Sequence, residues 1–319
     1  SPRDSAPQIH AELAVVTGYE EDAALAAAVR HAYEALDALK DTQLASIPES
    51  LRPFSSFGSR DRHVTAGTFL CSVTRDALNH DSPPGHPDCD CVILKGANVR
   101  GGKIYGAEEH FTYESLLSET QDEHVIHVFR VPGRCIQHLR ETWVSPGPGW
   151  YQYSDDIEVD ADGLVTRVAG APIELERLYK VGSIKDLSRV ADGPTIGQYL
   201  TDNPSCVPEP DAGMQWRTLL LGHFACQVWD KIWELLDKNN DGEICSEELK
   251  PYDLDGDGSL CSGELMAAIG ELLGYTTSES ERKFCDAILA IAGNKGCGEL
   301  TLEQMNSARS LRTGKTGKL

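Results

Sequence analysis

The sequence predicts an α+β protein, with a mixed α/β domain followed by an all-α domain. Three observations carry this expectation. Short apolar runs bounded by turn residues alternate with stretches of helical periodicity up to about residue 200. Pro204, Pro208, Pro210 and Gly213 then punctuate the chain, and the apolar residues after them recur only at helical spacing. Finally, 319 residues exceed the roughly 100 to 200 of a usual single domain. The expected layout is a linker helix in 1–48, the α/β domain in 49–205 and the helical domain in 212–319.

In chain order, Leu25, Val29, Tyr33, Leu36 and Leu39 mark one face of a helix over 20–40, which Pro48, Pro53 and Gly58 end. A second helix is expected over Thr65–Asn79, with Phe69, Leu70, Val73 and Leu78 inward, then a loop over Asp81–Pro87. Strands are expected at Cys91–Leu94, His124–Val131 and Leu178–Ile184, with a hairpin over Ile157–Val168 turning at Asp160–Gly163. Beyond residue 212, Leu221, Ala225, Val228, Trp229, Ile232, Trp233 and Leu236 form one broad apolar face that ends at Asp237.

A formal net charge of −21 argues against a nucleic-acid partner, because the phosphate backbone would be repelled. Part of the acidic excess is local: Gly222–Arg312 holds 17 Asp and Glu against 8 Lys and Arg. No apolar run approaches the roughly 18 residues of a membrane span. Ten cysteines point to disulfides and to a secreted or luminal setting. Zinc spacing is missing, since Cys89 and Cys91 have one residue between them and no His or Cys pair at finger distance.

Two acidic segments carry the clearest chemistry. Calcium takes six to eight oxygens, and an EF-hand loop offers them at positions 1, 3, 5, 7, 9 and 12, with glycine at 6 for the turn. The stretch DKNNDGEICSEE places Asp237, Asn239 and Asp241 at 1, 3 and 5, the Glu243 carbonyl at 7, Cys245 at the water-bridged 9 and Glu248 at 12, with Gly242 and Ile244 at 6 and 8. The stretch DLDGDGSLCSGE repeats this with Asp253, Asp255, Asp257, Ser259, Cys261 and Glu264, and with Gly258 and Leu260. Two calcium ions are therefore expected. Only Leu249–Tyr252 separates the loops, too little for the two helices that normally lie between paired loops. A degenerate third loop over Gly293–Gln304, with Gly298 and Leu300 at positions 6 and 8 but no side-chain oxygens at 1, 3 and 5, is expected to pair with the second loop and hold no calcium. Its neighbouring helices also offer another expectation, a calcium-opened groove of Met266, Leu272 and Leu273 for a protein partner.

The first domain offers no GxSxG, P-loop or HExxH motif. His63 and His124 stand in Asp-x-His triplets, which without further histidine clusters read as ordinary histidines. The order of its segments nevertheless resembles the C-terminal, nucleotide-binding domain of the 5'-nucleotidase family over about Arg60–Leu200. The segments are SRDRHVTAGTFLCSVTRDAL, CVILKGANVRGG, FTYESLLS, HVIHVFRVPGRCIQHLRE and VDADGLVTRVAGAPIELERLYKVGSIKDLSRVADG. The resemblance implies that Arg60 and Arg100 contact a substrate phosphate, that Asp192 sits in the Gly-Asp-Gly-like turn, and that Cys71 and Cys91 form a disulfide. Where the family places base-stacking aromatics, this chain has Thr120–Asp122 and Pro194, so nucleotide selectivity in that manner is not expected. The family's two-metal hydrolytic residues belong to an N-terminal domain that this sequence does not contain. The expectation is a calcium-binding, non-catalytic chain. The alternative is the nucleotide- or phosphate-ester-binding part of a phosphoesterase whose catalytic domain is supplied separately.

Overall fold

A computed structural model describes Asp22 and residues 43–81, 88–121, 123–137, 142–144, 147–149, 151–184, 196–209, 211–261, 263–265, 267 and 299–306. The helix expected over 20–40, apart from Asp22, lies outside these residues, as do Asp192, Met266, Leu272 and Leu273.

Strand β1 (Gln43–Ala45) pairs antiparallel with β3 (Phe111–Thr112). Helix α1 (Thr65–Asp76) runs on into a π-helical turn at Ala77–Asp81. The apolar run of β2 (Cys91–Lys95) is buried at its first four residues, as a strand covered on both faces requires. Alternation sends Val92 and Leu94 into a core with Phe69, Leu70 and Val73 of α1. It sends Cys91 and Ile93 into a second core with Phe129, Val131, Tyr151 and Val181.

The central sheet has the order β12-β4-β11-β2-β7, made by β4 (Val125–Pro132), β7 (Tyr151–Tyr153), β11 (Leu178–Ile184) and β12 (Met214–Gln215) around β2. β11 is parallel to β2 and antiparallel to β4, while β7 and β12 pair antiparallel at the two edges. A small hairpin joins β5 (Thr142–Val144) to β6 (Gly147–Gly149). A meander of β8 (Ile157–Val159), β9 (Val165–Val168) and β10 (Ala171–Pro172) follows the expected hairpin. Its turn is held by the Asp160 carboxylate, which accepts the Asp162 and Leu164 N–H groups at 2.9 Å each. Helix α2 (Tyr113–Glu119) starts at Thr112, whose hydroxyl accepts the Ser115 N–H. Two short helices, α3 (Gly133–Ile136) and α4 (Ile196–Asp202), place Ile136, Ile196 and Leu200 in the second core.

The segment after residue 212 does not stand apart from this sheet. β12 extends the sheet at Ile126, and α5 (Trp216–Leu236) follows without a break. Trp216 donates its indole N–H to the Thr74 hydroxyl of α1 at 2.8 Å, and Phe224 stacks on Phe69 with centroids 6.4 Å apart. The same core continues through Trp229, Trp233 and Leu236 to Ile244, Leu249, Leu260, Leu265, Leu300 and Met305. Burying each such side chain contributes roughly 1.5–3 kcal/mol, so the packing that holds α5 to α1 also reaches the acidic loops.

Two expectations are corrected. The second region is not wholly helical among the described residues: besides β12 it holds β13 (Ser259–Cys261) and β14 (Glu299–Thr301), because loop residues around position 8 pair as strands. The bridge implied between Cys71 and Cys91 is not formed. Both are buried free thiols, and the reason is the alternation of β2, which turns Cys91 into the second core while Cys71 stays in the first. Cys89, Cys135, Cys206, Cys245 and Cys261 are free thiols as well.

Candidate metal centre

The first acidic loop begins at Asp237, the C-cap of α5, and closes at Glu248 in the short helix α6 (Ser246–Leu249). Asp237 accepts the N–H groups of Asp241 and Gly242 on its two oxygens, each at 3.1 Å. Asn239 Oδ1 accepts the Asp241 N–H at 2.8 Å, and Asp241 Oδ1 accepts the Glu243 N–H at 2.9 Å. Glu248 reaches back across the loop: Oε1 accepts the N–H groups of Lys238 and Asn239 at 2.9 and 3.3 Å, and Oε2 accepts that of Cys245 at 3.0 Å.

The second loop repeats this scheme residue for residue. Asp253 accepts from Asp257 and Gly258, Asp255 from Asp257 and Asp257 from Ser259. Glu264 Oε1 takes the N–H groups of Leu254 and Asp255 at 2.7 and 3.3 Å, and Oε2 that of Cys261 at 2.9 Å. Gly242 and Gly258 hold φ near +88° and +83°, the left-handed region where a Cβ is strained, which is why the turn needs glycine.

Carboxylate oxygens of Asp253, Asp255 and Asp257 lie within 4.8 Å of one another. Three like charges gathered so closely repel unless a cation stands among them. Glu248 and Glu264 are nearly buried. The N–H groups around them, those of Cys245 and Cys261 foremost, hold both carboxyls below their ordinary pKa. The Ser259 hydroxyl, donating at 2.7 Å, does the same for Asp257. The donor set is all oxygen, which suits a hard divalent cation. The thiols of Cys245 and Cys261 are too soft for calcium, so position 9 fits a bridging water in both loops.

Residues 234–250 match the family model of the EF hand. That match spans the whole first loop and the end of α5 before it. No curated protein matches the sequence. Among solved structures the chain is similar to the NAD nucleotidase of Haemophilus influenzae, at 14% identity and a TM-score of 0.38 over 61% of this chain and 36% of that one. It is also similar to a Staphylococcus aureus protein described as a 5'-nucleotidase in complex with α-ketoglutarate, at 14% identity and 0.37 over 64% of this chain and 41% of that one. The chain thus spans well under half the length of either neighbour. Similarity at that level assigns no role to any residue here.

The two acidic loops differ at position 8. Leu260 pairs with Leu300 in the ladder of β13 and β14, so the degenerate third segment is the strand partner of the second loop. Ile244 has a side chain opposite it instead. Its N–H donates to Asn306 Oδ1 at 2.9 Å, and its carbonyl accepts from Asn306 Nδ2 at 3.1 Å. Sequence reading did not single out Asn306. The available signal was the odd number of loops, which leaves one position 8 without a strand partner.

Arg60 and Arg100 are exposed, and each directly follows one partner of the bond from Ser59 Oγ to the Val99 carbonyl, 3.0 Å long. Buried Gln152 grips the first turn, donating to the carbonyls of Ser59 and Arg62 at 2.8 Å each. Buried Glu119 grips the second. Its backbone carbonyl accepts the Arg100 N–H at 3.1 Å and its carboxylate accepts the Gly101 N–H at 2.9 Å, so close that a Cβ on Gly101 would lie 2.2 Å from Oε1. His63 is committed elsewhere: it stacks on Tyr153 at 3.8 Å, Nε2 bonds the Thr68 hydroxyl, and burial pushes its pKa down to about 4. His124 flanks Trp216 at 6.1 Å.

Proposed function

We propose that the chain binds two calcium ions, one in each EF-hand loop, and that these ions hold the helical region in order rather than serve a reaction. The first ion would be held by Asp237, Asn239, Asp241, the Glu243 carbonyl, Glu248 and a water below Cys245. The second would be held by Asp253, Asp255, Asp257, the Ser259 carbonyl, Glu264 and a water below Cys261. The observation that carries this reading is the matched hydrogen-bond scheme of the two loops, each closed by a nearly buried glutamate, with gathered carboxylate oxygens in the second. Calcium would neutralise like charges that the fold itself brings together. At extracellular or luminal millimolar calcium even a loop with Kd of about 10⁻⁴ M would be largely filled.

Calorimetric titration of calcium into the chelator-stripped chain tests this. Two ions are expected, with Glu248→Gln and Glu264→Gln each removing one. The absence of any calcium heat would overturn the reading, and a melting temperature indifferent to chelator would overturn its structural part.

A second reading concerns the α/β region. We infer that Arg60 and Arg100 form an anion site for the phosphate of a nucleotide or other phosphate ester, as the substrate-binding part of a phosphoesterase with a separate catalytic domain. Its support is the bond between Ser59 and Val99, which brings two exposed guanidinium-bearing turns side by side, each fixed from behind by a buried side chain. Titration with AMP, adenosine and inorganic phosphate checks it. Heat with AMP and phosphate that Arg100→Ala abolishes supports the site, and silence with all three removes it.

A further inference from the structure

We propose that Asn306 is the positioning residue of the first loop, and that through it the segment 299–306 couples the two calcium loops. The inference rests on the calcium reading above and adds the route by which the loops sense each other.

A primary carboxamide carries one acceptor oxygen and an N–H donor in one plane, which is what a backbone peptide group offers a neighbouring strand. Asn306 uses both on the two polar groups of Ile244. Ile244 stands between the two parts of the loop that matter most for an ion. On one side is Glu243, whose carbonyl is the position 7 donor. On the other is Cys245, whose N–H holds Glu248 Oε2 at 3.0 Å. Fixing the Ile244 peptide groups therefore fixes a ligand carbonyl and the closing carboxylate together.

Asn306 is itself held by what the second loop pairs with. β14 is the ladder partner of β13, with Leu260 opposite Leu300. Thr301 then starts the helical turn 302–306: its hydroxyl accepts the Gln304 N–H at 3.3 Å, and Gln304 Oε1 accepts the Thr301 N–H at 3.0 Å. Met305 is buried in the cluster that contains Ile244, Leu260 and Leu300. A strand, a capping box and one helical turn thus connect Leu260 to Asn306 within eight residues, Glu299 to Asn306. Filling the second loop orders this unit and presents the Asn306 amide to the first. Coupling of this kind is reciprocal, so filling the first loop must tighten the second equally.

The test uses calcium calorimetry on the full chain in four forms: parent, Glu264→Gln, Asn306→Ala and the double variant, with amide hydrogen exchange at Ile244 as second readout. In Asn306→Ala the first loop is expected to weaken about tenfold, the order of two lost hydrogen bonds, and the Ile244 amide to exchange faster. Glu264→Gln is expected to weaken the first loop several-fold in the parent and to leave it unchanged once Asn306 is Ala. An unaltered first-loop affinity in Asn306→Ala, or an equal effect of Glu264→Gln in both backgrounds, overturns the proposal. Should Asn306→Ala lose its helicity, Asn306→Leu decides, since it keeps the branched shape and removes both bonds to Ile244 without adding a charge. Parent-like affinity there overturns the coupling. No calcium heat in the parent overturns the calcium reading itself, whereas two normal ions in parent and variant alike overturn this inference alone.

Discussion

Loops 237–248 and 253–264 share a backbone and a hydrogen-bond scheme, yet they are anchored to the protein differently. The second leans on a strand, β14, through a ladder of three residue pairs. The first leans on a single side chain. What this teaches is that the ion-binding shape of a loop is set inside its own twelve residues, while its stability is set by what stands opposite position 8. Both position 8 side chains end in the same core as α1 and α5, so the loops are also the far end of the packing that begins at the sheet.

The largest effect that bears on this is removal of calcium. At a hundredfold excess of calcium over Kd, each of the two proposed sites would stabilise the folded chain by about 2.7 kcal/mol. Stripping both should therefore lower the melting temperature of a chain of 319 residues by roughly 8 °C. Calorimetric scans with and without chelator measure it. If Glu248→Gln and Glu264→Gln each recover half of that shift, the loops contribute equally. Because the coupling is reciprocal, each variant is expected to lose more than half of the shift, both by the same excess.

Next in size are Leu260→Ala and Ile244→Ala. Each removes a buried aliphatic side chain at a cost of about 2–5 kcal/mol, read by urea unfolding. The comparison lies in the calcium titrations of the two variants. Leu260→Ala should weaken both sites, since it disturbs the ladder and with it Asn306, whereas Ile244→Ala should weaken mainly the first. Equal damage to both sites in Ile244→Ala, or damage confined to one site in Leu260→Ala, would break the distinction drawn between strand and side-chain anchoring.

Gly242→Ala and Gly258→Ala come third. Each forces a Cβ into φ near +88° or +83°, at about 1–2 kcal/mol. The two costs should agree, because the loop backbones are the same at position 6. A clear inequality in unfolding free energy would show that the anchoring reaches into the turn itself.

The loops were legible in the sequence because all their donors lie within twelve residues at fixed offsets, where chain order and spatial order coincide. The same holds for the hairpin at Asp160–Gly163, whose turn is made by Asp160 and its near neighbours. Strands β2, β4 and β11 were legible as apolar runs, but their order in the sheet was not, since nothing local in β11 distinguishes its parallel partner β2 from its antiparallel partner β4. The bond from Trp216 to Thr74 spans 142 positions, and those between Asn306 and Ile244 span 62. A tryptophan at the start of an apolar helix and an asparagine near a degenerate loop carry no mark of such partners. The Cys71 and Cys91 bridge failed for the complementary reason: resemblance matched two positions, and the alternation of β2 turned one of them away.

The smallest expected effect lies at position 7, where the loops carry Ser259 and Glu243. The Ser259 hydroxyl donates to Asp257 Oδ1 at 2.7 Å, in addition to the backbone N–H that both loops supply at this position. That hydroxyl holds the Asp257 carboxyl below its ordinary value of 3.8. A carboxyl depressed in the folded state gives the unfolded state more bound protons between the two values. Its contribution to stability is therefore complete above pH 3.8 and is lost as pH falls through the depressed value. Ser259→Ala should return the Asp257 titration toward its ordinary position. Carboxyl-carbon NMR titration of the calcium-free chain follows it. An Asp257 midpoint unmoved by the substitution would assign its depression to the Ser259 backbone N–H alone, and position 7 would then cease to distinguish the loops.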